Sequence, residues 1–98
     1  MNRPLHAFDY RFLPLPGQMD ALVEALHALG AAMAGRPGLI GIQILVDREH
    51  DACYFVEKWV SPEARANAGA SLPGELDAAL ALTRENPRAT ELLCYDLA

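Results

Sequence analysis

Basic residues are scarce in this chain and never gather. Lys and Arg total 8 against 13 for Asp and Glu, a formal charge of -5. Without a basic stripe there is no electrostatic footprint for nucleic acid. No apolar run approaches the length of a membrane span, and the N-terminal MNRPLHAFDY has no long apolar core of a signal peptide. The expectation is a cytoplasmic protein with no membrane partner. Cysteine is sparse: Cys53 and Cys94 fall inside predicted strands, lack metal-ligand spacing and read as free thiols. His6, His27 and His50 are scattered along the chain, so neither a metal site nor any other cofactor is expected. GxSxG, HExxH, P-loop and GxGxxG motifs are missing, which leaves no ready-made catalytic or phosphate-binding signature. Repeats, low-complexity tracts and linkers are missing too, so residues 1–98 read as one domain with a core but little surplus stability.

What the chain does have is apolar residues, 52% of the total, and their spacing writes out the elements. Leu39–Val46 and Ala52–Trp59 are two strand-length runs rich in Ile, Val, Tyr, Phe and Trp, flanking the polar Asp47-Arg48-Glu49-His50-Asp51. They predict an antiparallel hairpin. Pro37-Gly38 punctuates its entry and Ser61-Pro62 its exit. Before it, Leu5–Leu13 alternates with period two, placing His6, Phe8, Tyr10 and Phe12 on one face, and Pro14 with Pro16-Gly17 ends that strand. From Gln18 to about Gly35, the residues Met19, Leu22, Val23, Leu26, Leu29 and Met33 form one helical stripe, with His27 at its rim. After the hairpin, Ser61 suits an N-cap with Pro62 at the first helical position. A short helix over Glu63–Ala70 is broken at Leu72-Pro73-Gly74, and a second piece from Glu75 to about Glu85 buries Leu76, Ala79, Leu80 and Thr83. Asn86-Pro87 stops it, and Thr90–Leu97 is the last strand.

The order β-α-β-β-α-β, with its second helix broken in two, fits a ferredoxin-like α+β sandwich: a four-stranded antiparallel sheet with the helices on one face. In the usual strand order the first strand separates the third from the fourth, putting Cys53 and Cys94 beyond reach of one disulfide. Both hairpin faces look apolar, with Ile40, Ile42, Ile44 and Val46 on one side and Leu39 and Leu45 on the other. Helices cover one face only, so the other is expected to meet a second copy of the chain.

Candidate chemistry rests on a few polar groups in apolar surroundings. Alternation puts Phe55, Glu57 and Trp59 on one face. If that face lines a cavity, desolvation raises the Glu57 carboxyl and suits it to proton transfer; otherwise it is ion-paired or exposed at a sheet edge. Ile42 and Ile44 oppose this face if the turn is Arg48–Asp51, and a five-residue turn flips the relation. Trp59, the single tryptophan, is either a core anchor or a wall for substrate. His6 and Tyr10 share a face and can offer a donor and an acceptor, or point their polar tips to solvent. Arg65 and Asn67 follow in the short helix, either as pocket rim or as plain helix surface.

PGLIGIQILVD, a short polar turn, and ACYFVEKWVSPEA together resemble the antibiotic biosynthesis monooxygenase (ABM) family. The matching features are Pro37-Gly38, the Phe-Val-Glu-Lys-Trp that closes the third strand, and the Ser-Pro-Glu-Ala that opens the next helix. The resemblance implies a homodimeric α/β barrel with a cavity in each subunit between sheet and helices. Some members oxidise aromatic phenols or quinols with O₂ and no metal or flavin; others degrade haem. The cofactor-free aromatic oxygenases carry an Asn four residues before the tryptophan, where this chain has Phe55, and a tyrosine six after it, where this chain has Arg65. The Asn on the first strand and the helical Trp–His pair of the haem-degrading members are missing. The expectation is a cofactor-independent monooxygenase for a small aromatic, with Glu57, His6 and Tyr10 as proton-handling groups and Trp59, Phe55, Arg65 and Asn67 around the substrate. The alternative is a non-catalytic ligand-binding or structural homodimer, and Phe55 leans towards it.

Overall fold

Strand-forming runs and amphipathic stripes become an α+β sandwich in the computed structural model, which describes residues 4–68 and 74–96. The elements run β1 (Leu5–Phe12), α1 (Met19–Met33), β2 (Leu39–Asp47), β3 (Ala52–Trp59), α2 (Pro62–Ala68), α3 (Glu75–Leu80) and β4 (Arg88–Cys94). The four strands form one sheet in the order β2-β3-β1-β4, with every pairing antiparallel. This is the ferredoxin-like arrangement. Cys53 on β3 and Cys94 on β4 are separated by β1, and both are free thiols.

The β2–β3 register depends on the turn. Asp47 pairs with Ala52, leaving Arg48–Asp51 as four turn residues. The Asp47 carboxylate accepts the His50 backbone N–H at 3.1 Å, and Asp51 takes a positive φ of 51°, a conformation Asp tolerates. Ile42 therefore stands opposite Glu57 and Ile44 opposite Phe55, as the four-residue turn requires.

At the other end of the hairpin the register shifts between Leu39 and Gly41. This bulge corrects the expected facing of β2: Leu39 pairs with Trp59 and packs against the core, while Ile40 is exposed. An extra residue in one strand reverses the alternation beyond it. The other differences lie at element ends. Here α3 stops at Leu80 because the following residues pair with the β1–α1 connection: Leu15 N–H donates to the Leu82 carbonyl at 2.8 Å, and Arg84 N–H to the Leu13 carbonyl at 2.9 Å. Strand β4 begins at Arg88; residues 69–70 and 97, expected to close the short helix and the last strand, lie outside the described residues.

The core lies between the sheet and the helices. Leu22, Leu26, Leu29 and Met33 of α1 meet Phe12, Cys53, Phe55 and Trp59, and Ala79 of α3 completes the cluster. The entry to β2 is tight. Gly38 has φ +84°, and a Cβ built there would lie 2.5 Å from the Ala64 Cβ and 3.2 Å from Val60 Cγ2. Gly38→Ala is expected to cost about 2–4 kcal/mol from left-handed strain plus overpacking. Urea unfolding measures it, and a loss below about 0.5 kcal/mol would show that the loop simply moves aside.

Candidate active site

The site grows from strand alternation. On β3, Cys53, Phe55, Glu57 and Trp59 face the helices and are buried. On β1, His6 stands opposite Trp59, Phe8 opposite Glu57, and Tyr10 opposite Phe55. Two residues apart on one face, Glu57 and Trp59 touch: the indole Nε1–H donates to Glu57 Oε1 at 3.0 Å. Helix α2 starts where Ser61 Oγ accepts the Ala64 N–H at 3.1 Å, the expected cap. One turn later Arg65 lays its guanidinium 4.5 Å over the Phe8 ring and donates to the Tyr10 hydroxyl.

These groups border a cavity of about 520 Å³, within the usual size of a small-molecule site. Its walls are mainly apolar: Phe12, Phe55 and Trp59 from the sheet, Leu29 and Met33 from α1, Leu76 and Leu80 from α3. Tyr10, Glu57, Arg65, Arg36 and Asn86 are its polar lining. Only 7% of Glu57 is accessible. Burial pushes its carboxyl above the ordinary value, against the Trp59 hydrogen bond and the charges of Arg65 and Arg36, which pull it down. Burial and the nearby Glu57 charge raise the Tyr10 phenol, which Arg65 opposes by hydrogen bond and charge. A desolvated carboxyl with a raised pKa is a better acceptor for a phenolic proton than one in water.

Of the residues expected from sequence, the fold brings Glu57, Tyr10, Trp59, Phe55 and Arg65 to one cavity. His6 shares their face but does not line it, and its Nδ1 is buried without a hydrogen-bond partner among the described residues. Asn67 is exposed and outside the lining. Sequence reasoning missed Arg36, and it reads Asn86 only as part of a helix stop. Arg36 reaches the site by a contact 32 residues long in sequence, Nη1–H to the Ala68 carbonyl at 2.6 Å, which no local pattern signals. Among the described residues no group of three or more His, Cys, Asp or Glu could hold a metal ion, and no helix is long and apolar enough to cross a membrane.

A profile of the antibiotic biosynthesis monooxygenase family matches residues 10–73, which include β3, α2 and most of the cavity's polar lining. The chain belongs to the antibiotic biosynthesis monooxygenase family. No curated protein matches it. Among solved structures, a protein of the same family name from Chloroflexus aurantiacus is 26% identical, with a TM-score of 0.70 over 96% of each chain. A Mycobacterium tuberculosis protein is 22% identical, with a TM-score of 0.75 over 96% of this chain and 98% of the other. A Nitrosomonas europaea protein at 11% identity has a TM-score of 0.79 over 95% of this chain and 92% of its own. The two at lower identity share the fold. In this ABM protein the cavity's polar groups depart from the aromatic oxygenases at two positions named above: Phe55 is buried and apolar, and Arg65 holds Tyr10.

Proposed function

We propose that this protein is a cofactor-independent monooxygenase that converts a phenol or quinol-type aromatic and O₂ to a quinone and water. The supporting observation is Glu57, a desolvated carboxyl hydrogen-bonded by Trp59 in an apolar cavity of an ABM-family chain. Glu57 takes the phenolic proton, and Tyr10, polarised by Arg65, donates a hydrogen bond to the phenolate oxygen. The electron-rich ring reduces O₂, and a C–O bond forms at a hydrogen-bearing ring carbon, para to the oxygen in a phenol or ortho to it in a quinol. Loss of that carbon's proton cleaves the O–O bond: one oxygen stays as the new carbonyl and the other leaves as water. The ring loses two hydrogens and gains one oxygen, so no outside reductant is needed. Exclusion of water protects the anionic ring from side reactions. Oxygen-electrode measurements over a panel of naphthols and hydroquinones are expected to show one O₂ consumed per quinone formed. Saturable binding with no O₂ uptake above the uncatalysed rate would favour the non-catalytic ligand-binding reading, to which the apolar Phe55 leans.

We also infer that the working unit is a homodimer joined through the sheet's open face. That face carries Leu45, 52% exposed and opposite Tyr54, and Leu92, 46% exposed and opposite Ala7. In its middle Asp9 has a buried Oδ1 with no hydrogen-bond partner among the described residues, and burial raises its pKa. A second copy would cover the apolar residues and could supply a donor to Asp9. The expected interface exceeds about 1,000 Å² in total. Light scattering at micromolar protein should give twice the chain mass, and a monomer mass would refute the dimer.

A further inference from the structure

Charges on the open face of the sheet do not answer one another within one chain. Alternation puts Asp9 and Arg11 of β1 on that face, and the strand pairings add Lys58 of β3 and Arg88 of β4. Asp9 stands between Val56 and Thr90, with Tyr54 and Lys58 diagonal to it on β3 and Arg88 and Leu92 on β4. Its Oδ1 is nevertheless buried with no hydrogen-bond partner among the described residues, and burial alone shifts its carboxyl, upward. Arg11 and Arg88 face each other directly across β1 and β4, a like-charge pair that is unfavourable in a sheet unless an anion lies beside it. Neither makes an ion pair or a side-chain hydrogen bond among the described residues, and those residues include every Asp and Glu of the sequence.

We infer that in the homodimer Asp9 of each copy seats between the partner's Arg11 and the partner's Arg88, two reciprocal contacts that fix the register of sheet on sheet. These contacts deepen the sheet-to-sheet dimer proposed above and depend on it. A twofold interface is self-complementary, so a contact from Asp9 to the partner's arginines is made a second time in the opposite sense. Asp9 and Arg11 lie two residues apart on one strand, roughly 7 Å, and a twofold axis through β1 at Tyr10 carries each onto the other's place. Packed sheets are about 10 Å apart, a gap that an arginine from one side and an aspartate from the other can bridge. Asp9 is desolvated already in the single chain, so pairing it recovers a cost that an ion pair drawn out of water would add. Tyr54, opposite Arg11, and Leu92, diagonal to Asp9, would shield the contact from salt.

Asp9→Lys and the double variant Arg11→Glu/Arg88→Glu each put like charges on both sides of the twofold contact. Each should raise the dimer dissociation constant about a hundredfold or more, read by analytical ultracentrifugation. Mixed one to one, the two variants should form a heterodimer, because each altered face then meets its opposite charge. In the wild type, association should weaken as pH falls through the raised Asp9 value, since the free chain binds that proton and the paired carboxylate does not. Asp9→Asn should associate more weakly and without that fall. The wild-type pH series needs no variant to fold. Four results would each overturn the contacts and leave the dimer standing: an Asp9→Lys dimer as tight as the wild type, folded variants that stay apart when mixed, a wild-type dissociation constant flat with pH, or the same fall kept by Asp9→Asn. A wild type that is monomeric at every pH removes the dimer, and the contacts with it.

Discussion

Glu57→Gln is expected to lower O₂ uptake on phenolic substrates by about 10²–10⁴-fold, the usual worth of a positioned general base. The fold should survive. Glutamine has nearly the same shape, and its amide oxygen can still accept the Trp59 Nε1–H that Glu57 accepts at 3.0 Å. What it cannot do is take a proton. The pH dependence follows from the raised carboxyl pKa, caused mainly by burial. Activity needs the ionised form, so it should climb with pH through a value above the ordinary 4.5. Stability runs the other way. The folded state holds this proton more tightly than the unfolded chain, so the contribution is fully present below 4.5 and is lost as pH rises through the folded value. Glu57→Gln has no such proton, so its melting temperature should gain on the wild type across that window. A variant that keeps its turnover, or whose melting temperature drops at every pH, would make Glu57 a structural residue instead.

Trp59→Ala is expected to cost about 3–5 kcal/mol, the range for deleting a large buried aromatic. Trp59 is 1% exposed and belongs to the central cluster with Phe12 and Phe55. It also borders an existing cavity of about 520 Å³, so neighbouring side chains have no reason to close the new void. Trp59→Phe separates packing from hydrogen bonding. It keeps most of the ring volume and removes the one side-chain hydrogen bond that lowers the Glu57 pKa. The loss of stability should therefore be smaller, and the rise of activity with pH should move to higher pH. Chemical denaturation and a pH–rate profile check the pair. An unmoved profile in Trp59→Phe would mean that the indole N–H does not tune the carboxyl.

By itself the sequence determined the elements and the face on which each side chain of β1 and β3 would stand. The reason is local: a strand alternates with period two and a helix repeats near 3.6 residues, so Phe55, Glu57 and Trp59 had to share one side. The helix stripe from Met19 to Met33 and the cap at Ser61 were legible on the same ground. Tertiary structure decided what that face would enclose. The bulge between Leu39 and Gly41 is a defect of pairing, and it turned Leu39 against the core without any change in local pattern. Arg36 entered the cavity lining through its bond to the Ala68 carbonyl, and Asn86 through the docking of the α3–β4 connection on Leu13 and Leu15. Asn67, between the cavity-lining Arg65 and Ala68 of the same helix, turned outward, while Arg65 turned in over Phe8. Which residues of a short helix see a cavity depends on how that helix is rotated against the sheet. That rotation is fixed by packing among residues far apart in the chain, and no window of sequence contains it.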